Sequence, residues 1–148
     1  VSHSRSTPGI YGFASLIAWA GALVIFWKGR ETYRHLLFGQ IPTTTADLVV
    51  ISLSVLAIQV AYWNVLCNWP PFALKRRPFV STVLFFLSRI SFMLAGALFS
   101  ITVFVRLEEL DITPVGVALF IAVLFTLFCF CRWLEIMGSA FAAGSDKA

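Results

Sequence analysis

The distribution of charge constrains this chain more than any other feature. No Asp, Glu, Lys or Arg lies between Arg5 and Lys28, between Asp47 and Lys75, or between Asp111 and Arg132, and from Arg77 to Arg106 the sole charge is Arg89. A bilayer's hydrocarbon core is about 30 Å thick and an α-helix rises about 1.5 Å per residue, so about 20 apolar residues cross it. Each of the four stretches can hold one such helix. Composition agrees: 59% of the 148 residues are hydrophobic and 12% charged, against roughly a quarter charged in a soluble domain. A water-soluble fold of this length could not hide so much apolar surface. The expected fold is therefore all-α: a single four-span membrane bundle over 1–148 with short loops, its spans at about 8–28, 46–67, 79–105 and 113–133.

Local chemistry marks the ends of these spans. Thr7 before Pro8 and Thr113 before Pro114 read as N-caps followed by proline at the first helical position, where its missing N–H is no loss. Thr44 stands three residues ahead of Asp47, a spacing like that of a capping box. Asn68-Trp69-Pro70-Pro71 ends the second span, because consecutive prolines cannot continue a helix. Trp27, Trp69 and Trp133 fall near expected helix ends, where an interfacial aromatic belt would place them. A secretory signal peptide is the competing interpretation of the first stretch, but its apolar run exceeds the usual h-region of about 7 to 15 residues.

The Lys and Arg bias of the loops sets an expected orientation. With the N-terminus inside, the cytoplasmic segments hold Arg5, Lys75, Arg76, Arg77, Arg132 and Lys147, and the outer ones Lys28, Arg30, Arg34 and Arg106. The expected location is a bacterial inner membrane with both termini cytoplasmic. Lys28 to His35 is discordant and suits either an interfacial helix or an extension of the first span. The formal charge of +4 is scattered in short clusters between apolar runs, which argues against nucleic acid as a partner.

Few residues offer chemistry. His3 and His35 lie outside the spans, so a bis-histidine haem held by this chain alone is disfavoured. Cys129 and Cys131 are two apart on a helix, about 200° around from each other, and do not converge on a metal. No catalytic residue, metal or cofactor is expected, and the protein is not expected to be an enzyme. Arg89 is the most informative charge, since an arginine at the bilayer centre costs at least about 2.5 kcal/mol. Two placements compete. Either the third helix slides outward and Arg89 snorkels to the cytoplasmic face, or Arg89 gathers Gln59 and Asn64 from an antiparallel second span into a polar cluster. That cluster would be interhelical glue or a ligand site for an anionic headgroup or a carbonyl group. Arg132 and Glu135, three apart on a helical end, suit a local pair.

Small residues at helical spacing, Ser15, Ala18 and Ala22 with Gly21 beside them and Ala95, Gly96 and Ala97 in the third span, allow close helix approach. Small multidrug exporters carry an embedded glutamate in their first helix, which is missing here before Glu31, and the paired outer cysteines of disulfide-generating quinone reductases are missing too. The function expected on these grounds is contact within the bilayer, with other membrane subunits or with copies of the same chain. The alternatives are a small oligomeric channel or transporter lined by Gln59, Asn64 or Arg89, and a quinone- or lipid-binding subunit of a redox complex.

Overall fold

The computed structural model describes residues 8–38, 45–68, 70, 74–105 and 114–144. They form four long helices: α1 (Pro8–Phe38), α2 (Thr45–Ala61), α3 (Pro78–Ser100) and α4 (Pro114–Ala143). α2 continues as a π-helical segment over Tyr62–Leu66 and α3 as another over Ile101–Val105. All four are long and apolar enough to cross a membrane. The chain is a four-span membrane protein.

Proline opens α1, α3 and α4, as its fixed φ and missing N–H favour. Asp47 stands in the first turn of α2, where a carboxylate complements the free N–H groups. Thr7, Thr44, Thr113 and Trp69 lie outside the described residues. Lys28 to His35 extends the first span without a break, because α1 runs on to Phe38. Arg89 does not interrupt α3, and 79–105 is one continuous helical rod with a π-helical end.

Sequence neighbours are only partly neighbours in space. α1 packs antiparallel on α2 and α3 antiparallel on α4, while α2 and α3 hardly touch; α4 joins the two pairs by lying against α2. At the base of the bundle the residues just before α3 pack on the end of α4. There the Arg77 N–H donates to the Phe141 carbonyl at 3.2 Å, and a Cβ on Gly144 would collide with the Leu74 carbonyl. The base is closed by main chain on main chain.

Because lipid tails are as apolar as leucine, burial from water cannot press these helices together, and tight packing and interhelical hydrogen bonds must. Each pair shows how. On α1, Ala14, Ala18 and Ala22 are buried, and a Cβ added to Gly21 would stand 2.7 Å from Cγ1 of Ile58 on α2. On α3, Ser81, Ser88 and Ala95 recur every seven residues and are all buried. The Ser81 hydroxyl donates to the Gly138 carbonyl at 2.8 Å and the Ser88 hydroxyl to the Cys131 carbonyl at 3.1 Å, both across to α4. A hydroxyl reaches a neighbouring main chain only where the backbones run close.

Trp133 corrects its expected place in an interfacial belt. It is 2% exposed and packs edge-on against Trp19 at 6.0 Å and tilted against Phe130 at 5.6 Å, with its indole N–H sealed beside the Tyr11 hydroxyl. The reason is that α4 runs on to Ala143, so Trp133 is an interior residue of the helix. Trp27, by contrast, is exposed, with the Arg30 guanidinium 5.2 Å from its ring. Trp63 is the other exposed tryptophan among the described residues.

Candidate functional site

A side chain that can do chemistry in a bilayer is one whose polarity is not consumed by packing. Gln59 faces the interior of the bundle. Its Nε2–H donates to Thr126 Oγ1 at 2.9 Å and lies 3.8 Å from Cys129 Sγ, while its Oε1 accepts the Trp63 indole N–H at 2.8 Å. The Thr126 hydroxyl in turn donates a hydrogen bond to the Ala122 carbonyl at 2.8 Å. The network joins α2 to α4 and uses both ends of the amide. Its chemistry is that of glue, and Gln59→Ala is expected to lower stability in mixed micelles by about 1–2 kcal/mol and to shift Trp63 fluorescence. A variant as stable as the parent would show that the network carries no load.

Asn64 lies one turn further along, exposed, its Nδ2–H donating to the Val60 carbonyl at 2.8 Å. It stands at the end of an apolar groove of about 530 Å³ between α1 and α2, floored by Ala14, Ala57 and Ala61. A second groove of about 230 Å³ separates α1 from α3, with Phe130 and Leu134 of α4 as its floor and Ser91 as a polar wall residue. Neither groove holds a charged side chain.

Arg89 is exposed on α3. The structure does not bring Arg89, Gln59 and Asn64 together: Gln59 turns to α4, Asn64 to the α1–α2 surface, and α3 packs on α4 instead of α2. The Ser88 to Cys131 contact sets the register of α3 on α4, placing Arg89 within about 3 Å in depth of Arg132 at 1.5 Å per residue. Arg132 forms the expected local pair with Glu135 at 3.3 Å, both ends well exposed. At the opposite end of the bundle Lys28 of α1 pairs with Asp47 of α2 at 2.6 Å. Sequence reasoning did not foresee that pair, because the two residues belong to different helices.

Cys129 and Cys131 are both buried, Cys129 towards Gln59 and Cys131 with its carbonyl on Ser88. Among the described residues no three His, Cys, Asp or Glu side chains converge as metal ligands. His3, His35, Arg106, Glu108, Glu109 and Asp111 carry no described side chain. The chain matches no known protein family, and no curated protein or solved structure resembles it.

Proposed function

We propose that this protein is a non-enzymatic subunit that works by helix contact within a larger membrane assembly, built from copies of itself or with other membrane subunits. One observation carries the reading: two arginines stand part-way along spans whose flanking surface is apolar, so lipid alone serves both only if the arginine heads snorkel past that surface. α4 is 30 residues long, about 45 Å at 1.5 Å per residue, against a hydrocarbon core of about 30 Å. Arg89 lies eleven residues beyond Pro78, and Arg132 eleven residues before Ala143. Both are therefore about 16 Å from the same end of the bundle.

Between that end and the arginines the surface is apolar, with Ile10, Phe13, Phe79 and Phe86 each more than half exposed. If the hydrocarbon core covers them, Arg89 faces lipid near its centre at a cost of at least about 2.5 kcal/mol, with the Arg132–Glu135 pair at a similar depth. If the core moves up until the arginines reach headgroups, those aromatic and aliphatic side chains leave it. Protein packed over this part of the surface removes the conflict, because it can supply both carboxylates and apolar side chains. Lys75-Arg76-Arg77 at the same end favours placing it in the cytoplasm under the positive-inside bias.

The test is the mass of the extracted particle. Light scattering of the full chain after extraction in a mild detergent is expected to give a stoichiometric assembly of two or more polypeptides. A homogeneous single chain at all concentrations would overturn the proposal.

A further inference from the structure

We propose that the outer face of the α3–α4 hairpin is a self-association surface, on which a second copy of this chain docks so that Arg89 of each copy meets Glu135 of the other. The inference rests on the assembly reading above and names its partner. Successive residues turn about 100° around a helix. From the side of α3 that Ser81, Ser88 and Ala95 press on α4, the flank turned away from α1 carries Arg89, Phe92 and Gly96. The matching flank of α4 carries Phe128, Arg132 and Glu135. The Phe92 and Phe128 rings meet at 5.5 Å, which puts the two flanks on one continuous face.

The face has the shape and the charge for a copy of itself. Gly96 has nothing within 4 Å of where a Cβ would stand, so another helix can come close there. Along 78–105 and 114–143, the helices of the hairpin, Glu135 is the single carboxylate. Its side chain is 46% exposed, and Arg132 engages one of its oxygens at 3.3 Å, leaving acceptor capacity for a second guanidinium. Arg89 has no carboxylate within ion-pair distance among the described residues.

In the α3–α4 register, Glu135 lies about 7.5 Å from Arg89 in depth, within the combined reach of the two side chains. A twofold axis along the membrane normal preserves depth and sets α3 of one copy against α4 of the other. Each Arg89–Glu135 contact then forms twice. A phospholipid phosphate would meet Glu135 as well as Arg89 and Arg132 on this face, whereas a second copy brings Arg89 a carboxylate at each of two equivalent contacts.

The experiment uses the full chain. Wild type is expected to run as a dimer in mild detergent, Arg89→Glu and Glu135→Arg each to raise its dissociation constant about tenfold or more, and the double exchange to restore it. Equal dimerisation in all four, or failure of the double exchange to rescue, would overturn the proposal. Independently of those variants, Ile121→Cys, exposed on the same face, with Cys67→Ser, is expected to cross-link in native membranes with a short bis-maleimide. Leu23→Cys, exposed on α1, is not. A stoichiometric assembly with other polypeptides in which Ile121→Cys fails to cross-link would overturn the second copy but leave the assembly reading standing. A lone monomer overturns both. A monomer that retains anionic phospholipid, and loses it in Arg89→Gln, would assign Arg89 to a lipid phosphate instead.

Discussion

Replacing Ser88 by leucine is expected to separate α3 from α4 and to lower the stability of the bundle by about 2–4 kcal/mol, combining a lost interhelical hydrogen bond with overpacking. Ser88 is 2% exposed and its hydroxyl lies 3.1 Å from the Cys131 carbonyl. A leucine there has to occupy space next to main chain, which cannot yield as a flexible side chain can. Ser81 and Ala95, seven residues to either side and buried in the same row, tie the backbones at both ends, so tilting the helix does not relieve the clash. Ser88→Ala should lose only the hydrogen bond, about 0.5–1.5 kcal/mol. The midpoint of unfolding by SDS in mixed micelles separates the two. Equal midpoints for alanine and leucine would mean that the helices do not approach closely at this level.

How much of this could be foreseen follows from what charge and hydropathy encode. A gap in charge fixes the length of a span, and proline fixes its start, so Pro8 and Pro114 are legible as helix openings; Pro78, read from the sequence as the end of a loop, opens α3 in the same way. Neither signal says which helices touch. The placement that gathers Gln59 beside Arg89, one of the two the sequence allows, assumes that consecutive spans pack on each other. The connection from Cys67 to Arg77 spans enough residues to cross the base of the bundle, at about 3.3 Å or more per extended residue, and α4 takes the place beside α2. Trp133 is misplaced by the sequence for a related reason: the charges at Arg132 and Glu135 mark the end of an apolar run, whereas α4 continues past them to Ala143. The Ser81, Ser88, Ala95 spacing was present in the sequence, but serine in an apolar run carries no hydropathy signal, and its meaning depends on a carbonyl from another helix. The candidate site residues were visible one by one as polar groups in apolar stretches; their partners were not.

Gly21→Leu is the corresponding test of the α1–α2 pair, with an expected loss of about 2–3 kcal/mol from overpacking. Even the first carbon of a side chain at this position would meet Ile58 Cγ1 at 2.7 Å and Cδ1 at 2.9 Å, with the Ser54 carbonyl at 3.4 Å. Ile58 is 1% exposed and packs with Ile25, Val55 and Leu127, so it has no empty space to move into. Gly12→Leu is the control. It lies on the same helix, has nothing within 4 Å of its Cβ position, and should change stability by no more than about 0.5 kcal/mol. The comparison is sharper in a membrane than in water, because a leucine turned to lipid is well solvated, and a misplaced helix contact would make Gly21→Leu as harmless as Gly12→Leu. Pairing Gly21→Ala with Ile58→Ala adds a second readout. Truncating Ile58 makes room for the new methyl, so the double variant should be less damaged than the sum of the two single losses, by the positive coupling expected of residues in direct contact. Strict additivity would mean that the two residues do not touch, and the close approach of α1 to α2 at Gly21 would have to be abandoned.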